Sequence, residues 1–240
     1  MRLSDITDWL DKTLDVAAFD DVSNNGLQID RRGEDVRLVA FAVDASARAV
    51  RAAAEAGAQM LVVHHGISWG GGVKRISGAV YEVVKAAIDA NVALYACHLP
   101  LDAHPRLGNN ARLAKLMGLS GVKPAFKYHG NVIGLTGFMR DGSKKGRRRT
   151  KVGVCSGGAG EFAEEAKRLG CSLFVTGEAS WGDVIAAENC GMRMECLGHY
   201  ETEVHGVRAV ASEMKKRLKV EVADLTVLLA GGSKKERRRR

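Results

Sequence analysis

From residue 36 onward, short apolar runs alternate with stretches of helical periodicity, and this alternation restricts the chain to few architectures. VRLVAFAV is followed by SARAVRAAAEAG, QMLVVHH, a helical pattern over much of 73–90, and VALYACH. That is a βαβαβ order. It predicts a largely parallel sheet with helices on its faces and right-handed crossovers. Residues 3–16 place Leu3, Ile6, Trp9, Leu10 and Leu14 at helical spacing, so an amphipathic helix precedes the alternation. DVSNNGLQID, residues 21–30, reads as a loop whose Leu27 and Ile29 can start a short extended piece.

The second half repeats the first in outline. NNARLAKLMGL reads as a helix and YHGNVIGLTGFM as strands, after which KVGVCSG, EFAEEAKRLG, SLFVTG, WGDVIAAENCG and MRMECLGH alternate strand and helix. AAAEAGAQMLVVHHG resembles EEAKRLGCSLFVTGE, and KAAIDANVALYACH resembles IAAENCGMRMECLGH. The expected fold class is α/β, with two similar lobes built on mixed, largely parallel sheets. Residues 1–140 form the first lobe with the N-terminal helix, and 141–151 a basic connecting loop. Residues 152–230 form a second lobe that can also pack with the N-terminal segment, with a helix near 203–218 and strands in VEVADLTVLLA. Residues 231–240 form a disordered basic tail.

The chain has 240 residues, 46% of them hydrophobic and 27% charged, enough to bury a core. No apolar run approaches the roughly 20 residues that cross a bilayer, and MRLSDITDWLDK is amphipathic rather than signal-like. A cytoplasmic location without membrane contact is the default expectation. Cys97, Cys155, Cys171, Cys190 and Cys196 are odd in number, lack CxxC spacing and read as reduced core thiols. The net charge of +8 is local. Lys144, Lys145, Arg147, Arg148, Arg149 and Lys151 carry six positive charges, and SKKERRRR carries six less Glu236, so the rest of the chain is near −3. Neither segment interleaves aromatics or carries a DNA-reading motif, which favours solvated basic segments over weak contact with RNA, DNA or another polyanion.

The uncommon polar residues fall at strand ends. LVVHHG delivers His64 and His65 to the tip of a buried strand, where Gly66 permits a turn. His98 closes a second strand, with Asp102 four residues on, and His199 a third, with Glu203 four residues on. In parallel α/β sheets, ligands bind beyond the carboxyl ends of strands. Imidazole and carboxylate together suit zinc, manganese, iron or nickel. Five or six such ligands exceed what one catalytic zinc takes, so two divalent ions per chain are expected, with a carboxylate able to bridge them. The competing reading is separate structural or exposed histidines, because no strict motif such as HExxH is present. His104, His129 and His205 read as incidental, and Glu201 rivals Glu203.

Other candidates are weaker. CSGGAGEF follows a strand and precedes a helix, as a phosphate loop would, but it lacks GxGxxG and GK[ST] and reads as a tight turn. Cys155 has no identifiable partner histidine and reads as a core thiol rather than a nucleophile. Asp44, Glu178 and Asp183 stand at strand ends or helix starts, as caps or as groups that support a ligand.

NNGLQID, VDAS, GAQMLVVHHG, CHLPLDAH, VTGEASWGDVIAA and GHYETEVHG, in this order, resemble the Nif-three-like dinuclear metal centre family, the GTP cyclohydrolase 1 type 2 homologues. The resemblance covers nearly all the chain except the basic loop and tail. It implies two similar lobes with the metals in the cleft between them and a toroidal homohexamer. It maps His64, His65, Asp102, His199 and Glu203 onto the metal ligands, with Glu203 as the bridge and His98 beside the metals. Where many relatives have HHP, this chain has Gly66 after the histidines. Two functions follow as expectations. The first is a metal-dependent hydrolase acting on a nucleotide or phosphorylated small molecule, whether by GTP cyclohydrolase or by phosphoesterase chemistry, with His98 or Glu201 moving a proton. The second is a non-catalytic metal-binding regulatory or scaffold protein that engages a protein or nucleic-acid partner. If the basic tail contacts RNA, deleting residues 233–240 weakens salt-dependent RNA binding; undiminished binding excludes the tail as its source.

Overall fold

In the computed structural model, which describes residues 1–140 and 149–227, the alternation folds into two compact units, Met1–Pro100 with Val207–Arg240, and Leu101–Gly206. The first unit is built on a five-stranded sheet in the order β1-β4-β3-β2-β10. Its strands are β1 (Gly26–Ile29), β2 (Leu38–Phe41), β3 (Met60–Val63), β4 (Ala93–Ala96) and β10 (Glu221–Asp224). β10, β2, β3 and β4 run parallel, and only the edge strand β1 is antiparallel. β3 and β4 are buried along their whole length, as their unbroken apolar sequences require.

Helices α1 (Leu3–Leu14), α2 (Ala47–Glu55) and α3 (Gly78–Ala90) belong to this unit. Ser46 caps α2 by accepting the Ala49 N–H at 3.0 Å, and Asn91 ends α3 in the left-handed conformation. α3 begins five residues later than the 73–90 pattern suggests; the segment from Ile67 to Ser77 is loop, with left-handed Gly70 and Gly72. The small residues of α2, Ala49 and Ala53, and of α3, Ala86 and Ala87, let both helices approach Leu61, Val63 and Leu94 in one core cluster.

The second unit contains the sheet β5-β6-β7-β8-β9, with strands β5 (Ser120–Tyr128), β6 (Asn131–Arg140), β7 (Arg149–Cys155), β8 (Leu173–Thr176) and β9 (Met194–Cys196). β5, β6 and β7 form an antiparallel meander, after which β8 and β9 continue in parallel. Its helices are α4 (Leu99–Ala103), α5 (Asn109–Leu116), α6 (Ala163–Arg168) and α7 (Trp181–Asn189), and α8 (His199–Arg217) leads the chain out.

The compact units therefore differ from the expected division at 141–151. β6 and β7 pair from Leu135–Val154 to Arg140–Arg149, so the basic segment links neighbouring strands of one sheet instead of separating lobes. The late strand β10 pairs with β2 along Glu221–Leu38 to Asp224–Phe41 and so belongs to the sheet of the first unit. Residues 141–148, with Lys144, Lys145, Arg147 and Arg148, and the tail 231–240 lie outside the described residues. Among the described residues no helix is long and apolar enough to cross a membrane.

The repeat heard in the sequence is present in the backbone. Val43 O accepts the N–H groups of both His64 and His65 at 2.9 Å, and Gly157 O accepts those of both Gly177 and Glu178 at 2.9 Å. Cys97 N–H then bonds Val63 O, as Leu197 N–H bonds Thr176 O. By this pattern His65 and Glu178 hold equivalent places in the two units.

Glycines make room for one aromatic anchor. Phe126 on β5 is buried in the left-handed conformation, with its ring centroid 5.3 Å from Phe174 and 5.6 Å from Phe162. A Cβ at Gly153 would lie 2.8 Å from Phe126 Cζ, and one at Gly134 2.6 Å from Phe126 Cδ2. Gly153→Ala should cost about 1–3 kcal/mol by overpacking, read as a lower urea midpoint with an unchanged denaturant slope.

Candidate metal centre

In the first unit, His64 and His65 stand immediately after β3 and His98 two residues after β4, because the two strands are adjacent and parallel. The ring centroids of His64 and His65 are 4.5 Å apart, of His64 and His98 5.2 Å, and of His65 and His98 5.8 Å. Tandem residues on a continuing strand would face opposite ways. Here Val43 O takes both N–H groups, ending the regular pleat, and both rings join one cluster.

Each ring is oriented through Nδ1. His64 Nδ1 bonds the Cys97 carbonyl at 2.9 Å, His65 Nδ1 the Asp44 carboxylate at 2.8 Å and His98 Nδ1 the Asp21 carboxylate at 2.9 Å. A carbonyl or carboxylate oxygen can only accept, so Nδ1 carries the proton and Nε2 is the nitrogen able to ligate, the usual arrangement at metal-bound histidines. Asp21 also accepts from Leu99 N–H, Ser23 N–H and Asn25 Nδ2, while Asn25 Oδ1 accepts His98 N–H. Burial opposes its charge, yet the His98 hydrogen bond and charge, with the Asn25 and Ser23 donors, bring its carboxyl down to about 2.

Gly66 plays a different part from the expected one. Its φ is not left-handed; what the position demands is space, since a Cβ would meet Gln28 Oε1 at 2.2 Å and Ala96 Cβ at 2.6 Å. Gln28 in turn accepts the Ile67 N–H at 2.7 Å. Trp69 sets its indole 5.1 Å from His98, edge to face, and donates Nε1–H to Gly66 O.

In the second unit, His199 opens α8, with Glu203 one turn on. His199 Nδ1 donates to Glu178 Oε1 at 3.0 Å, and Nε2 lies 3.2 Å from Glu203 Oε2. The hydrogen bond to Glu203 pushes the imidazole up to about 9, against a lowering by burial and with further help from Glu178. Glu203 is buried, and the CSGGAGEF turn makes room for it: Gly157 is left-handed, and a Cβ there would lie 2.3 Å from Glu203 Oε1. Asp102 on α4 is buried, and its Oδ1 accepts Asn109 Nδ2 at 2.8 Å and Ser156 Oγ at 3.0 Å. Asn110 anchors the same turn by accepting Ser156 N–H at 2.7 Å.

Thus His64, His65 and His98 come together in one unit, and His199 with Glu203 in the other. Glu201 is exposed and folds back over Gly198. Asp44 and Glu178 each hold a histidine, whereas Asp183 caps α7 in a capping box with Ser180. His104 Nδ1 accepts the N–H groups of Arg106 and Leu107, ordering a turn, and His129 sits at the β5–β6 hairpin. Burial, then Asp102 and the nearby glutamates, hold the Cys155 thiol well above its usual range, so it is a core group. Cys196 departs from the core reading: it is exposed at the end of β9. Sequence reading missed Asp21, Asn25, Ser156, Asn109 and Trp69; only the Asn24-Asn25-Gly26 run signalled one of them.

His64, His65 and His98 offer one ligand atom each within 4.8 Å of one another, a donor set able to hold a metal ion. The sequence model of Duf34/NIF3 (NGG1p interacting factor 3) matches residues 1–147 and 136–230. A GTP cyclohydrolase 1 type 2 homolog of Deinococcus radiodurans is 39% identical, with 86% of each chain covered. Another, from Pyrococcus horikoshii, is 36% identical over 92% of this chain and 96% of its own. Among solved structures, a structural genomics protein of unknown function, ybgI, superposes with a TM-score of 0.85 at 29% identity, covering 94% of this chain and 98% of its own.

The His199–Glu203 pair stabilises the metal-free protein fully below the ordinary 6.5, and that contribution is lost as pH rises through about 9. Nitrogen-resolved NMR of metal-free protein should show His199 titrating near 9, and Glu203→Gln should return it toward the ordinary histidine range.

Proposed function

The chain belongs to the Duf34/NIF3 family, and on that premise we propose that His64, His65, Asp102, His199 and Glu203 would hold two divalent metal ions. We propose further that the loaded protein is a hydrolase for a nucleotide or a related phosphorylated small molecule. The observation that carries the metal reading is the common treatment of four histidines in two units: every Nδ1 is donated to a carbonyl or carboxylate oxygen. Histidines retained only for packing need no such uniform use of Nδ1 as a donor.

The donor set suits the ions. Imidazole nitrogen with carboxylate oxygen, and no thiolate among them, favours zinc, iron, manganese or nickel. Bound ions supply Lewis acidity and a nucleophilic water near neutral pH. The chain's own part is positional: Asp44 and Glu178 orient His65 and His199, and Ser156 with Asn109 fixes one oxygen of Asp102. The absent Cβ at Gly157 leaves the Glu203 carboxylate its place. The name borne by the relatives, GTP cyclohydrolase 1 type 2 homolog, brings a nucleotide forward as the substrate class.

Protein stripped and reloaded with manganese, iron or zinc should retain two ions per chain by elemental analysis and turn over GTP or a phosphoester. Glu203→Ala should lose at least one ion and about 10²-fold or more in rate while keeping its circular dichroism. Fewer than one ion per wild-type chain sinks the metal reading. Two ions without turnover, or equal turnover in Glu203→Ala, sinks the hydrolase reading and leaves the regulatory one.

A further inference from the structure

We propose that Trp69 is the platform on which the base of a nucleotide substrate stacks beside the histidines of the first unit, so that the site recognises a planar heteroaromatic ring by its face. The proposal rests on the nucleotide reading above for its substrate class, and it adds the residue that receives the ring.

Ser-Trp-Gly occurs at 68–70 and again at 180–182. In the second unit it starts a helix: Ser180 caps α7, and Trp181 is the first residue of that helix, 76% exposed. In the first unit the same tripeptide lies in a loop and is bonded to the segment that follows Asp21. Asn24 N–H donates to Ser68 O at 3.0 Å, Asn24 Nδ2 to Ser68 Oγ at 2.8 Å and Gly70 N–H to Val22 O at 2.6 Å, and Ser23 and Trp69 form an antiparallel bridge. Asp21 and Asn25, from the same segment, hold His98. One short stretch therefore fixes the indole and the imidazole relative to each other, and the two rings meet at 5.1 Å and 74°.

What this indole can offer a ligand is narrow. Its N–H is a donor and never an acceptor, and it is already given to Gly66 O at 3.0 Å. The hydrogen-bonding capacity is used inside the protein, while 38% of the residue stays exposed. Binding sites set apolar and aromatic walls around a few polar groups, and a large ring held beside imidazoles is such a wall. Every base has a π face, so stacking on an indole accepts bases without choosing among them. Because the backbone bonds already order Trp69, the ring is not left to be immobilised when the ligand arrives.

The loop also carries positive charge. Gly72 N–H closes a turn on Trp69 O at 3.0 Å, and Lys74 lays its side chain over that turn, with Cε 3.7 Å from where a Cβ on Gly71 would stand. An ammonium group there suits the phosphate that accompanies the base.

The test compares GMP with ribose 5-phosphate, which has the same sugar phosphate without the base, by calorimetry on zinc-loaded wild-type, Trp69→Leu and Trp69→Phe protein. Wild type should bind GMP about 5–100-fold more tightly than ribose 5-phosphate. Trp69→Leu keeps apolar bulk but no ring. It should lose that advantage for GMP and equally for AMP, with ribose 5-phosphate binding and zinc content unchanged, while Trp69→Phe keeps most of it. Wild type that binds GMP no better than ribose 5-phosphate, or binds neither, overturns the proposal. So does a Trp69→Leu variant that retains the full preference, or one whose loss is shared by ribose 5-phosphate or accompanied by loss of zinc, which marks a structural role. The hydrolase reading fails separately, if nucleotides bind through Trp69 and none is turned over.

Discussion

The arrangement of the first unit's histidines depends on one carbonyl. Val43 O, just beyond the end of β2, accepts two successive N–H groups from the residues that follow β3, and this double acceptance converts a strand into a corner. Without it His64 and His65 would continue the alternation and point to opposite faces of the sheet. With it, both imidazoles stay at the carboxyl edge, beside the residue that follows β4. Gly157 O does the same for Gly177 and Glu178 in the second unit. One backbone device, used twice, presents a histidine in one unit and a histidine's carboxylate partner in the other.

What surrounds these corners is mostly hydrogen bonding that fixes direction. Cys97 O, Asp44, Asp21 and Glu178 each hold an imidazole through Nδ1. Asn109 and Ser156 hold Asp102, and Gly157 yields the volume that Glu203 fills. Buried carboxylates and imidazoles of this kind are costly to keep unless every polar group has a partner. Their concentration beyond the ends of β3, β4, β7 and β9, rather than through the sheets, is where parallel α/β sheets bind ligands.

The matched residues and the curated relatives establish the Duf34/NIF3 family. The donor set and the oxygen acceptors at each Nδ1 support metal ligation; the hydrolytic reaction is a proposal that adds the family to that geometry. Gly66 shows why local geometry matters inside a family: its reason in this chain is the crowding of Gln28 and Ala96, not a turn conformation.

Much of the fold was legible from period alone. The all-apolar runs of β3 and β4, the Ser46 cap and the helical spacing of α1 are local properties, and the residues that close those strands are the site histidines themselves. The repeat in the two halves was also audible, because helix, glycine and strand recur at matching spacing. What sequence could not place were the partners brought in from afar. Asp21 reaches His98 across 77 residues and Ser156 reaches Asp102 across 54, and no periodicity records such pairings. The division into units also had to wait, because the pairing of β6 with β7 and the return of β10 to β2 are made by tertiary hydrogen bonds. Local sequence determined which side chains arrive at the strand ends. Which oxygen holds each of them, and therefore which nitrogen it presents, was decided only when distant backbone and carboxylate acceptors came into hydrogen-bonding range.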